Sequence, residues 1–255
     1  MKKVIFISFI LASLLYPVSI DKSIEVGIDE KLGQIIPLDI EFYNSDGIKK
    51  PLSEFFDTPV LMNLVYFECP GICSPLINEL AWTVDRLDMI AGVDYKILSI
   101  SIADRETPEL AARWKKSYME SMRKKIPEDS WLFLTGDLES IQRLADAVGY
   151  HFIKSPDSNY VHPGALIAVS ENGMISRYLF GDTYNQFDVK LALIDAKSGK
   201  SSPTIAKVLK YCFSYDPEGR SYTLNITRII GTVMLLSVGI FLMVLLIRKK
   251  KNSKE

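Results

Sequence analysis

Hydrophobic positions fall into a few recurring patterns along this chain, and their order predicts its architecture. Nearly unbroken apolar runs occur at Val60–Phe67, Tyr95–Ile102, Trp131–Thr135 and Ala165–Val169, as expected of strands covered on both faces. Between them apolar residues recur at helical spacing. Ile77, Leu80, Ala81, Val84 and Leu87 follow the first run, and Ile141, Leu144, Ala145 and Val148 follow the third. A helix from Thr107 to about Met122 is predicted after the second. Cap-then-proline signals open two of these helices, at Ser74-Pro75 and Thr107-Pro108, and Asp137 caps the third. Glu171-Asn172-Gly173 joins the fourth run to Ile175–Phe180 as a hairpin, and a last helix is predicted over Gln186–Lys197. Upstream, Leu38–Phe42 alternates and ends in Asn44-Ser45-Asp46-Gly47, an edge hairpin or strand to which Pro37 is suited. The whole reads as an α/β domain, a mixed sheet flanked by helices.

Both ends depart from this pattern. Met1-Lys2-Lys3 precedes an apolar run from Val4 to Ser19, so 1–20 is expected to be a signal peptide or a retained signal anchor. Ile229–Ile247 carries no charge and reaches ~28 Å as a helix, enough to span a bilayer. Arg248-Lys249-Lys250-Lys251 follow and are expected to stay cytoplasmic. The expected organisation is therefore signal segment 1–20, linker 21–32, folded domain 33–198, juxtamembrane arm 199–228, transmembrane helix 229–247 and basic tail 248–255. This places the domain on the extracytoplasmic, periplasmic face of a bacterial cytoplasmic membrane, with membrane lipid as one partner and the C-terminus inside.

Composition narrows the chemistry. The 255 residues are 48% hydrophobic and 24% charged, with a net charge of -1. No basic excess exists to neutralise phosphates, so nucleic acid is not an expected partner. Three cysteines are too few for a disulfide scaffold. Two of them, Cys69 and Cys73, sit where the first core strand feeds the first turn of a helix, a place that favours thiolate.

Their spacing leaves several uses open. Residues i and i+4 on a helix lie about 5–6 Å apart at Cβ, so the pair can close a disulfide or face a third body as two thiolates. Soft thiolates favour Cu(I) and Zn(II). The chain holds two histidines: His162, in a loop just before a core strand, is the candidate third donor, and His151 lies between a helix and a polar loop. The plainer readings are a structural disulfide for the cysteines and surface polar use for either histidine. Cys212 reads as a small buried hydrophobe, Glu68 as solvated, and Asp104 as a strand end that braces the next helix. Metal, electrons and inert cross-link all remain open at this point.

The ordered motifs resemble a known family. Tyr66-Phe67-Glu68-Cys69-Pro70-Gly71-Ile72-Cys73 resembles the Cys-Pro-x-x-Cys motif of Sco/SenC proteins. Ser101-Ile102-Ala103-Asp104-Arg105-Glu106-Thr107-Pro108-Glu109 is similar to their Asp-x-x-x-Thr-Pro-Glu segment. Leu134-Thr135-Gly136 and Leu144–Tyr150 match the next stretch, and His162 falls where their histidine ligand lies. The resemblance runs from about Ile35 to Lys197. It implies a thioredoxin-like fold and a copper site, Cu(I) or Cu(II), built from Cys69, Cys73 and His162. Such proteins are membrane-tethered and help assemble the binuclear copper centre of cytochrome c oxidase. The implied partners are the oxidase's copper-centre subunit and another copper chaperone or thiol reductant. Two positions depart from many members, which have Asp between the cysteines and before the histidine; here Gly71 and Val161 stand there. The C-terminal span, with Tyr211–Pro217 before it, is similar to a subgroup anchored at that end.

The resemblance implies a non-enzymatic metallochaperone, with Cys69 and Cys73 also a redox-active pair. The alternative is a thiol–disulfide oxidoreductase acting on exported cysteines without copper, which needs no histidine and usually spaces its cysteines by two residues. A peroxiredoxin-like peroxidase would want Thr three residues before the reactive cysteine, where Tyr66 stands. A zinc site would want a fourth ligand.

Overall fold

Every residue of Val60–Val65 is buried, so this strand, with no polar alternation, belongs at the centre of a sheet. The computed structural model describes residues 26–68, 73–155, 159–181 and 183–202, the backbone of 213–216 and 221–224, and residues 234 and 237; of residues 73 and 74 the backbone alone is described. In chain order its elements are β1 (Gly27–Ile28), β2 (Glu41–Tyr43), β3 (Lys49–Pro51), β4 (Val60–Val65), α1 (Cys73–Val84), β5 (Lys96–Ser101), α2 (Pro108–Ser121), β6 (Trp131–Leu134) and α3 (Leu138–Ala147). There follow β7 (Tyr150–His151), β8 (Ile153–Lys154), β9 (Tyr160–Val161), β10 (Ala165–Val169), β11 (Ile175–Phe180), α4 (Gln186–Lys197), β12 (Phe213–Asp216) and β13 (Ser221–Leu224).

The principal sheet has the order β11-β10-β4-β5-β6. β4, β5 and β6 run parallel, whereas β10 is antiparallel to both β4 and β11. The sheet is therefore mixed, as the pattern predicts. Helix α2 packs on β6 and α1, and α4 lies over β10 and β11. A buried ion pair between Arg177 of β11 and Asp195 of α4, 2.5 Å apart, ties that layer down. Three polar side chains inside the sheet form a buried chain: Trp131 Nε1 donates to Ser99 Oγ at 3.0 Å, and Ser99 donates to Asn63 Oδ1 at 2.9 Å.

Helix starts largely follow the expected caps. Thr107 Oγ1 accepts from the Leu110 N–H at 3.4 Å, and Asp137 Oδ1 from the Ser140 N–H at 2.8 Å. Ser74 differs: α1 begins at Cys73, so Ser74 lies inside the helix instead of capping it. The Asn44 turn closes a β2–β3 hairpin, with Asn44 Oδ1 accepting from the Asp46 and Ile48 N–H groups.

The stretch 21–32, read as a linker, contributes to the folded domain from Gly27 on. β1 pairs with β7, and the Lys31 N–H donates to the Tyr178 hydroxyl at 3.1 Å. Asp29 N–H also bonds the Gly149 carbonyl. Gly149 ends α3 at φ +63, where a Cβ would sit 1.9 Å from the Asp29 carbonyl oxygen; only glycine permits this approach. The period of these short strands is too brief to register as a pattern.

The expected signal segment lies outside the described residues, as do Cys212 and most of the juxtamembrane arm. Within the arm, the backbones of β12 and β13 form an antiparallel pair. The expected transmembrane helix is described at Met234 and Ser237, both helical. Among the described residues, no helix is long and apolar enough to cross a membrane.

Candidate functional site

The chain that leaves β4 passes through buried Tyr66 and Phe67 to exposed Glu68, and α1 begins at Cys73. Residues 69–72, with Cys69, lie outside the described residues. Cys73 is placed by its backbone as the first residue of α1. The cysteine segment thus bridges the C-terminal end of the central strand and the N-terminal turn of a helix. That end of a parallel strand is where α/β folds collect ligand-handling groups, and the turn stabilises a thiolate.

His162 lies on the other side of the same strand end. It follows the β8–β9 hairpin, immediately before β10, and is 7% exposed. Tyr66 meets its ring edge-on, with centroids 5.8 Å apart, and Tyr150 lies more nearly parallel to it at 6.4 Å. Tyr160 and Phe152 extend the aromatic wall, Tyr160 packing on both Tyr66 and Phe152. The Tyr150 hydroxyl is 2.8 Å from His162 Nδ1. Burial in this wall holds the imidazole below its ordinary pKa, against a smaller opposing effect of the Pro163 carbonyl. The ring is therefore neutral at neutral pH, the form that can ligate a metal.

The loop of His162 and the helix of Cys73 pack directly together. A Cβ on Gly164 would lie 3.0 Å from the Gly181 carbonyl oxygen and 3.2 Å from Leu76 Cδ2 in the first turn of α1. Glycine allows this approach, and it brings the histidine loop onto the helix that carries Cys73. His151, by contrast, points away: its Nε2 lies 3.1 Å from Asp29 Oδ2 at a partly exposed surface pair.

Asp104 departs from expectation. It does not brace the start of α2, since Thr107 caps that helix. It accepts from the Tyr160 hydroxyl at 3.0 Å and lies 3.7 Å from Lys154 Nζ, so it ties β9 and the histidine loop to the end of β5. Burial first, and Asp104 second, push the Tyr160 phenol upward.

The adjacent Glu106, which its sequence setting does not single out, holds the two described amides just ahead of Cys69. Its carboxyl oxygens accept from the Phe67 N–H at 2.9 Å and the Glu68 N–H at 2.8 Å, and Ser101 Oγ is 2.6 Å away. Glu106 is 5% exposed. Its desolvation outweighs these donors and raises its pKa. The signal available beforehand was a carboxylate placed between a strand end and a helix cap, with two neighbours more easily read as surface groups. Among the described residues, no three His, Cys, Asp or Glu side chains converge to hold a metal ion.

The SCO1/SenC family model matches residues 32–190. No curated protein matches the chain significantly. Similar solved structures include a candidate electron transfer protein from Aquifex aeolicus VF5, with 23% identity, a TM-score of 0.59, and coverage of 66% of this chain and 95% of that one. Arabidopsis thaliana ScoI, solved with copper bound, is 17% identical with a TM-score of 0.52, covering 65% and 97%. BsSco, described with a disulfide switch and as a member of the Sco family of cytochrome c oxidase assembly proteins, is 21% identical with a TM-score of 0.50, covering 68% and 96%. At these identities the likeness is one of fold, a mixed thioredoxin-like sheet with flanking helices. The family match spans more than half of the chain: this protein belongs to the SCO1/SenC family.

Proposed function

We propose that this chain is a membrane-tethered, extracytoplasmic copper carrier, with Cys69, Cys73 and His162 as donors and copper as cargo. In this reading the chain delivers copper to the binuclear centre of a respiratory cytochrome c oxidase, or prepares the thiols of that centre. The apolar segments 1–20 and 229–247 would tether the domain outside the cytoplasmic membrane. Family membership supports the oxidase role, and copper-bound Arabidopsis ScoI shows that a protein of this fold can hold the metal.

The observation that carries the reading is the setting of His162. It is a buried, neutral imidazole in a loop packed on the helix that begins with Cys73. Two thiols and an imidazole form a soft-to-borderline donor set that suits copper. A purely redox pair needs no such histidine. Oxidation of the two thiols to a disulfide would remove both sulfur donors and release the metal.

The full chain, purified in detergent and reduced, is expected to bind copper near one equivalent. His162→Ala should weaken binding by at least the roughly 10–100-fold that outer contacts of a metal site control, measured by competition with a calibrated chelator. Wild-type affinity in His162→Ala would remove the histidine from the site. Reduction of an oxidised copper-free peptide, undiminished by that substitution, would favour the thiol–disulfide oxidoreductase reading, towards which the disulfide switch of BsSco points.

A further inference from the structure

A single hydroxyl joins the histidine loop to the strand that leads into the cysteines. The Tyr150 oxygen lies 2.9 Å from the Leu64 carbonyl oxygen, 2.8 Å from His162 Nδ1 and 2.6 Å from the Pro163 carbonyl oxygen. Leu64 is left for it by the sheet. The Val65 carbonyl accepts from the Ile102 N–H on the β5 side, so the preceding carbonyl turns towards β10. There the β4–β10 pairing spans only Val60–Met62. Tyr150 takes the place of a missing strand partner.

Proton counting then selects the state of the imidazole. The phenol has one proton, and both carbonyl oxygens are acceptors only. His162 Nδ1 also lies 3.1 Å from the Pro163 carbonyl oxygen. With a lone pair on Nδ1, the phenol proton would be drawn to that nitrogen. The phenol oxygen would then face two carbonyl oxygens, and Nδ1 would face a third oxygen contact, without a hydrogen between them. With the proton on Nδ1, the imidazole donates towards the phenol and Pro163 oxygens, and the phenol donates to a carbonyl. Of these four contacts three then have a hydrogen, and buried polar atoms strongly favour that arrangement.

We propose that Tyr150 is a positioning residue for the donor set. It fixes His162 as the Nδ1–H tautomer, leaves the lone pair on Nε2, and couples the ring to the end of β4 that leads to Cys69. The tautomer claim needs no metal; the consequence for copper rests on the function proposed above.

The test is nitrogen NMR of the histidine ring in the reduced, metal-free full chain. Wild type is expected to show Nδ1–H with a lone pair at Nε2; the reverse tautomer in wild type overturns the proposal without any variant. Tyr150→Phe should shift the population towards Nε2–H while the amide spectrum stays dispersed, and should lower copper affinity about tenfold, at the lower end of such effects. Tyr178→Phe, which removes another buried phenol bonded to a carbonyl, should leave the tautomer unchanged. An unchanged tautomer in Tyr150→Phe overturns the proposal, as does an equal shift in Tyr178→Phe. A wild-type chain that binds no copper would sink the proposed function and leave the tautomer result standing. A shifted tautomer with unaltered copper affinity would sink the positioning role alone.

Discussion

Replacing Cys69 or Cys73 by Ala is expected to abolish stoichiometric copper binding by the full chain, a loss exceeding the roughly 10–100-fold that outer contacts of a metal site control. Each thiolate supplies a first donor to a soft ion, and one remaining sulfur with an imidazole leaves a two-donor site open to water and competing chelators. The two substitutions should be equivalent in kind, because neither cysteine alone retains the pair. Folding should survive both. The central strand, α1 and the histidine loop are held by contacts that use neither thiol, such as the burial of β4 and the approach of Gly164 to Leu76. Circular dichroism and chelator competition on the same samples check both halves. A Cys73→Ala chain that keeps one equivalent of copper at wild-type affinity would remove the thiols from the site.

The second large effect is expected at Glu106. Glu106→Ala leaves the Phe67 and Glu68 N–H groups without the acceptor that holds the turn ahead of Cys69, and leaves the Ser101 hydroxyl only the Ala103 carbonyl at 3.3 Å. Orphaned buried groups cost ~1–3 kcal/mol each and do not add fully, so a loss of about 3 kcal/mol is expected in urea unfolding. The pH dependence has a definite sign. Burial raises the Glu106 pKa above its ordinary value of 4.5, so the folded chain binds its proton more tightly than the unfolded chain does. The stability from that proton is complete below the unfolded pKa and is lost as pH rises through the folded one. Glu106→Gln cannot titrate. The stability of wild type relative to Glu106→Gln should therefore fall as pH rises above the ordinary carboxyl value of 4.5. A difference that rises with pH would mean that the three donors, and not desolvation, set the charge of this group.

The sequence made the large elements legible because they carry strong local signals. β4, β5, β6 and β10 are continuous apolar runs, and the hairpin turn at Asn172-Gly173, the Thr107-Pro108 start and the Asp137 cap each have a local chemical cause. What escaped were features that depend on distant partners. β1 and β7 are two residues each and exist because Gly27 meets His151 across the fold. Asp104 and Glu106 look like the solvated end of a strand; their roles are set by Tyr160 and by the Phe67 and Glu68 amides, 38 to 56 residues away in the chain. His162 was legible as a candidate by its loop position and by the family resemblance. Its aromatic enclosure was not, because Tyr66, Tyr150, Phe152 and Tyr160 come from four separate segments and no periodicity links them. The departure at Val161 takes on a different weight in this setting, whereas Gly71 lies outside the described residues. Val161 is 47% exposed, and the adjoining histidine is oriented by Tyr150 and Pro163, so an acidic residue at 161 is not required to hold the ring.

The most direct test of the donor set is X-ray absorption at the copper edge on the full chain loaded with Cu(I). Two sulfur scatterers and one imidazole nitrogen scatterer are predicted, the nitrogen lost in His162→Ala and a sulfur lost in Cys73→Ala. A first shell of nitrogen and oxygen alone, or one unaltered by either substitution, would contradict the assignment of copper to Cys69, Cys73 and His162.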